Sequence, residues 1–72
     1  MRIELTDDEA LVLFEWLARN DDADSYRVED QAELRVLWDL QAQLESALPG
    51  VLAPDYRELL AGARARVRDP EQ

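Results

Sequence analysis

Three acidic residues close together, Asp21, Asp22 and Asp24, form the part of this chain whose spacing most resembles a metal site. Carboxylate oxygens are the ligands that calcium prefers, and an EF-hand loop supplies them at fixed positions between two helices. Counted from Asp22, Asp24 falls at the third position of such a loop and Glu33 at the twelfth. The sixth position, where the sharp turn requires glycine, is Arg27. The calcium pattern therefore fails, and the sequence predicts a solvated polar turn.

Two further pairs of carboxylates, Glu29 with Glu33 and Asp30 with Glu33, have spacings that place them on one face of a helix. Such pairs can chelate a metal or act as general acid and base. Carboxylate sites in helix bundles normally add histidine, and this chain has neither histidine nor cysteine. Imidazole and thiolate metal sites, disulfides and nucleophile pairs based on these residues are excluded. The sequence predicts no catalytic residue, no metal site and no cofactor, and hence a protein that is not an enzyme.

The basic residues are all arginine, and three of them, Arg64, Arg66 and Arg68, lie close together near the end of the sequence. A nucleic-acid site usually combines a basic cluster with aromatic residues and an overall positive charge. No aromatic residue separates these arginines, and the formal net charge of the chain is −9. Direct contact with nucleic acid or with an anionic membrane surface is therefore disfavoured. We expect the arginines to complement the end of a helix and to pair with acidic residues of the other helices.

Apolar residues recur at helical spacing in three stretches, and this pattern predicts an all-α fold, a compact three-helix domain. Helix 1 is expected at about residues 7–19, helix 2 at about 28–48 and helix 3 at about 54–67. Thr6 and Glu9 have the spacing of a capping box at the start of helix 1. Helices 1 and 2 are expected to form a hairpin with helix 3 packed across it. Before helix 1, the alternating residues from Arg2 to Leu5 are compatible with a very short extended segment.

The length of 72 residues corresponds to one helical domain, expected to cover residues 1–72. A domain of this size buries only about 60% of the surface of its unfolded chain, so self-association would add useful stability. The N-terminal residues MRIELTDDE lack the apolar stretch of a signal peptide. No apolar run approaches the roughly 20 residues of a membrane-spanning helix, so a cytoplasmic location is expected.

The apolar stretch LVLFEW, residues 11–16, separates into two faces when it is placed on a helix. One face is a core face, formed with neighbouring positions by Ala10, Leu13, Phe14, Leu17 and Ala18. On the other side lie Val12 and Trp16, and in helix 2 Leu34 lies beside Trp38. Either helix 3 or the loop after helix 1 covers the tryptophans, or they form an exposed contact surface, in which tryptophan is often an energetic centre. We take as the candidate partner interface Val12, Trp16, Leu34 and Trp38.

The segments LTDDEALVLFEWLARN, VEDQAELRVLWDLQAQLE and PDYRELLAGARARV resemble a group of small acidic bacterial proteins that have no assigned activity. An LTxDEALVLFEWL-like N-terminus is typical of that group. The resemblance extends from Leu5 to Val67 and implies a bacterial source and a compact helical fold. It supplies no catalytic or binding residue.

Two functions follow from these observations. The first is a helical protein interaction module without enzymatic activity that forms a homodimer. The alternative is an acidic inhibitor, such as an immunity protein, an antitoxin or a nucleic-acid mimic, that binds a basic partner protein. The candidate acidic surface for that second function consists of Asp21, Asp22, Asp24, Glu29 and Asp30.

Overall fold

The protein is an all-α three-helix domain in the computed structural model, which describes residues 2–48 and 53–68. Helix α1 spans Asp7–Asp22, helix α2 spans Gln31–Ala47 and helix α3 spans Tyr56–Arg68. The predicted fold class is therefore confirmed. None of the helices in the described part of the chain is long and apolar enough to cross a membrane.

The start of α1 is fixed by the predicted capping box. The hydroxyl of Thr6 accepts a hydrogen bond from the backbone N–H of Glu9 at 3.1 Å, and the Glu9 carboxylate accepts one from the backbone N–H of Thr6 at 2.9 Å. Two amides that the helix leaves unpaired at its N-terminus are thereby satisfied. The acidic residues Asp7 and Asp8 follow in the first turn, where the helix dipole favours negative charge.

Helix α1 ends at Asp22, three residues later than predicted, because a backbone motif at Asp24 terminates it. Asp24 adopts a φ of 52°, in the left-handed region that aspartate and asparagine enter more readily than most residues. This conformation lets the backbone N–H of Ser25 donate to the carbonyl of Asn20 and the N–H of Asp24 donate to that of Asp21. The two bonds form a Schellman motif, which satisfies carbonyl groups at the end of the helix.

Helix α2 begins at Gln31 rather than near Val28 because Asp30 acts as its N-cap. The Asp30 carboxylate accepts from the backbone N–H of Ala32 at 2.8 Å. The Glu33 carboxylate accepts from the backbone N–H of Glu29 at 2.8 Å. Glu29 and Asp30, which the predicted bounds placed in the first turn, thus lie just outside the helix, and Asp30 caps it.

Helix α1 is the central element, and the other two helices pack against it and not against each other. No Cα atom of α2 lies within 8 Å of a Cα atom of α3 among the described residues. The α1–α2 contact contains the buried residues Ala10, Leu17, Leu44 and Leu48. In α3, the buried residues are Leu60 and Ala63. Because Ala63 is small and completely buried, the backbones of α3 and α1 can approach each other closely.

Two polar contacts fix α3 antiparallel to α1. Near the start of α3, the Tyr56 hydroxyl donates to the Glu15 carboxylate at 2.9 Å. Near its end, the Arg66 guanidinium forms two hydrogen bonds with the Asp8 carboxylate, at 2.7 Å and 3.0 Å. The second contact confirms, for Arg66, the expected pairing of the C-terminal arginines with an acidic residue of another helix.

Candidate functional site

An apolar groove at the surface is the feature best suited to bind another molecule. It has a volume of about 520 Å³ and lies between the N-terminal half of α1 and the C-terminal half of α2, with the segment before α1 along its edge. Eight of its ten lining residues are apolar, the exceptions being Asp7 and Gln43. The apolar members are Ile3, Leu5, Ala10, Leu13, Leu40, Leu44, Ala47 and Leu48.

The floor of the groove belongs to the core, whereas its edge is open to water. Leu44 and Leu48 are buried, and Leu13 and Leu40 are half-buried and pack against the same core. At the edge, by contrast, Leu5 is 42% exposed and Ile3 is 74% exposed. Exposed apolar side chains that continue a packed apolar surface are typical of a site for another protein.

The predicted partner interface does not coincide with this groove. Val12 and Leu34 are half-buried, while Trp16 and Trp38 are 46% and 42% exposed. Trp16 lines a depression with Tyr26 and Leu37, and Trp38 lines another with Asp21; the two depressions share no residue.

Each tryptophan has one specific contact that holds it at the surface. The ring of Trp16 packs against that of Tyr26, with centroids 6.0 Å apart and planes inclined by 45°. Tyr26 is itself anchored, since its hydroxyl donates to the carbonyl of Leu17 at 2.6 Å. The indole N–H of Trp38 donates to the Asp21 carboxylate at 3.0 Å, which joins α2 to the end of α1. Both side chains nevertheless remain partly accessible to water.

The residues of the predicted acidic surface are all exposed. Two of them also have structural roles, because Asp30 caps α2 and Asp21 accepts the hydrogen bond from Trp38. The pKa of Tyr26 is raised by its burial and by the negative charge of Asp21. Within residues 2–48 and 53–68, no group of three or more carboxylates is arranged to hold a metal ion.

The sequence contained one signal for the groove, the alternation from Arg2 to Leu5. That pattern predicted a short extended segment but did not indicate which surface the segment would border. The groove brings Ile3 and Leu5 together with Leu40, which lies 35 residues beyond Leu5 in the chain. Helical periodicity describes neighbours along one helix, so it could not predict this juxtaposition.

Comparisons of the chain with protein-family models, with curated proteins and with solved structures gave no match. Its function is therefore inferred from the geometry of its own surface.

Proposed function

We propose that this protein is a helical interaction module without enzymatic activity and that it functions as a homodimer. The observation that carries the proposal is the apolar groove, whose edge residues Ile3 and Leu5 are exposed in the single chain. A second copy would remove these side chains from water and add apolar burial to a domain too small to bury much by itself. Closed dimers with twofold symmetry are the commonest assemblies of identical chains.

The groove is favoured over the predicted partner interface around Trp16 and Trp38, the tryptophan surface, because the exposed residues of the groove continue directly into the core. Burial of Ile3 and Leu5 would extend one continuous apolar surface that already includes Leu44 and Leu48. Trp16 and Trp38 line separate depressions, and the indole N–H of Trp38 already has an acceptor. A partner that covered both tryptophans would have to contact two distinct places on the surface.

The test is the mass of the protein in solution, measured by light scattering over a concentration series, for the parent chain and two leucine variants. Leu5 and Leu59 are 42% and 40% exposed, but only Leu5 lines the groove. We expect the parent and Leu59→Glu to dimerise and Leu5→Glu to remain monomeric, because a charge in an apolar interface is costly to desolvate. A monomeric parent chain at every concentration would refute the proposal. If Leu5→Glu and Leu59→Glu weakened dimerisation equally, the groove would not be the interface.

An acidic inhibitor of a basic protein is the second candidate, favoured by the exposure of all five residues of the acidic surface. Arg27 is the one basic residue between Asp21 and Asp30, so the negative charge of this loop is largely uncompensated in sequence. A complementary basic partner would be attracted at long range, and salt would weaken that association strongly. Homodimerisation should respond in the opposite direction, because salt screens the repulsion between two copies of charge −9.

A matched pair of triple variants tests this second function. In the first variant, three acids of the loop are neutralised by Asp21→Asn, Asp22→Asn and Asp24→Asn. At position 24, asparagine tolerates the left-handed conformation. At position 21, its side-chain oxygen can still accept from the indole N–H of Trp38. In the control, three exposed acids elsewhere are neutralised by Asp39→Asn, Asp55→Asn and Glu58→Gln. A basic protein recovered from lysate at low salt by the parent and the control, but not by the loop variant, would support an inhibitor. Equal recovery by all three would contradict it.

A further inference from the structure

The segment from Arg2 to Leu5 has the sequence alternation of a β-strand, and the described part of the chain contains no strand to pair with it. Ile3 and Leu5 line the apolar groove, whereas Arg2 and Glu4 do not. In an extended conformation, alternate residues point to opposite sides, so Ile3 and Leu5 would share one side of this segment and Arg2 and Glu4 the other. The segment ends at Thr6, whose extended backbone conformation has a φ of −68° and a ψ of 163°.

The backbone of this segment is available for pairing. Among the described residues, no N–H or C=O of Arg2–Leu5 forms a hydrogen bond with another backbone group. The backbone amide of Thr6, at the end of the segment, donates to the Glu9 carboxylate. A short segment of alternating polarity whose backbone groups have no backbone partner among the described residues, at the edge of an apolar surface, is a template for the addition of another strand.

The charges of the segment are complementary to those of the same segment turned end to end. If two copies align antiparallel about a twofold axis at Ile3, Arg2 of each copy lies opposite Glu4 of the other. Directly opposite residues point to the same side of a two-stranded ribbon, and opposite charges stabilise such a pair. In the same alignment, the two Ile3 side chains lie side by side on the apolar face. A single twofold axis thus pairs the opposite charges on one face of the ribbon and brings the apolar side chains together on the other.

We propose that the N-terminal segments of two copies pair as an antiparallel β-ribbon whose apolar face covers the groove of each copy. This inference rests on the proposed homodimer and names the contact that forms it. A ribbon of two short strands is not stable by itself in water. Packing of Ile3 and Leu5 against the grooves would provide the burial that an isolated ribbon lacks, while the Arg2–Glu4 pairs would fix its register.

Reversal of single charges tests the register. Arg2→Glu places glutamate opposite glutamate twice in a dimer, and Glu4→Arg places arginine opposite arginine twice. We expect each variant to weaken the dimer by about tenfold or more, as measured by sedimentation equilibrium. An equimolar mixture of the two variants should restore association as a heterodimer. The double variant Arg2→Glu/Glu4→Arg should restore the homodimer, because each pair is then reversed as a whole.

Net charge alone predicts a different pattern, and this separates it from specific pairing. Arg2→Glu changes the net charge from −9 to −11, whereas Glu4→Arg changes it from −9 to −7. General repulsion between copies would therefore loosen the first dimer and tighten the second. Weakening of both variants, with rescue in the mixture, would support the ribbon. Tighter association of Glu4→Arg than of the parent, or association in the mixture no stronger than that of either variant alone, would overturn it.

The possible failures can be distinguished. If Leu5→Glu prevents dimerisation but Arg2→Glu and Glu4→Arg leave it unchanged, the ribbon is overturned and the homodimer stands. A parent chain that stays monomeric would overturn both. Far-UV circular dichroism of each variant checks the fold, which should be unchanged because residues 2 to 5 lie outside the three helices.

Discussion

Replacement of Tyr56 by phenylalanine should weaken the attachment of α3 to α1 and change how the stability of the protein depends on pH. The Tyr56 hydroxyl donates to the Glu15 carboxylate at 2.9 Å across the two helices. Burial, the hydrogen bond and the negative charge of Glu15 together raise the pKa of Tyr56 to about 12. Tyr56→Phe removes the hydroxyl and keeps the ring, so the hydrogen bond is the main interaction lost.

The magnitude follows from the kind of hydrogen bond and its exposure. A buried hydrogen bond to a charged group contributes about 1.5 to 3 kcal/mol to stability. Tyr56 is half-buried, and solvent screening reduces the value to about 1 kcal/mol. For a domain of this size, that loss corresponds to a decrease in Tm of about 4 to 8 °C.

The sign of the pH dependence follows from the raised pKa. Tyrosine in the unfolded chain ionises at a pH of about 10, and Tyr56 in the folded chain at about 12. The stabilisation from neutral Tyr56 is therefore complete below a pH of about 10 and is lost as the pH rises through about 12. Tyr56→Phe should lower the free energy of unfolding at neutral pH and should lose less stability than the parent at alkaline pH.

The assay is urea unfolding followed by circular dichroism, at neutral pH and at several values from pH 9 upwards. Chain concentration must be the same throughout, because dimerisation stabilises the folded state by mass action. Tyr26→Phe is a useful comparison, because the Tyr26 hydroxyl donates to the carbonyl of Leu17 and its pKa is also raised, so this variant should reduce the alkaline loss as well without affecting the Tyr56–Glu15 hydrogen bond. If Tyr56→Phe were as stable as the parent at neutral pH and showed the same alkaline loss, the assigned role of this contact would be refuted.

The remaining predictions concern the core, an ion pair and the tryptophans. Leu17 is 1% exposed, so Leu17→Ala should lower the free energy of unfolding by about 2 to 5 kcal/mol in urea titrations, and a loss below about 1 kcal/mol would contradict its central position. The Arg66 guanidinium lowers the pKa of Asp8 in the folded chain. The Asp8–Arg66 pair therefore stabilises the folded state fully above the ordinary pKa of aspartate, and this stabilisation is lost as the pH falls through the lower pKa of Asp8 in the folded chain. The Tm of the parent should therefore fall more steeply than that of Asp8→Asn below a pH of about 4, and parallel curves would argue against the pair. Because Trp16 and Trp38 lie outside the groove, iodide should quench the tryptophan fluorescence of the dimer as efficiently as that of the monomer. Weaker quenching in the dimer would place the interface at the tryptophan surface.

The features that depend on a few adjacent residues could be predicted from the sequence. The Thr6–Glu9 capping box is complete within four residues, and it forms as expected. The core face of α1 was also predictable, since Ala10 and Leu17 are buried and Leu13 and Phe14 pack beside them. In each case, the interaction partners are fixed by helical spacing alone.

The ends of the helices on either side of the loop between α1 and α2 were less predictable. The end of α1 depends on the left-handed conformation of Asp24, which many residues in a polar run could have adopted. The start of α2 required a choice between Glu29 and Asp30, because acidic residues are favoured both as caps and in the first turn. The position of Tyr26 over Trp16 depends on the path of this irregular loop, for which periodicity gives no information.

The groove could not be predicted because it combines three separate parts of the chain. The sequence placed Leu13 on the core face of helix 1 but did not indicate that it would border an open groove together with Leu40. It also indicated the alternation of Ile3 and Leu5. The manner in which the N-terminal segment borders the contact between α1 and α2 is a property of the packed structure.

The most direct test of the homodimer is the mass of the parent chain in solution as its concentration rises. We expect the mass to change from 8.3 kDa towards twice that value, with Leu59→Glu behaving as the parent and Leu5→Glu remaining at the mass of a single chain. Higher salt should favour the larger species, because it screens the repulsion between two acidic copies. A mass of 8.3 kDa for the parent at every concentration and salt would contradict the homodimer and leave the acidic surface as the basis for function.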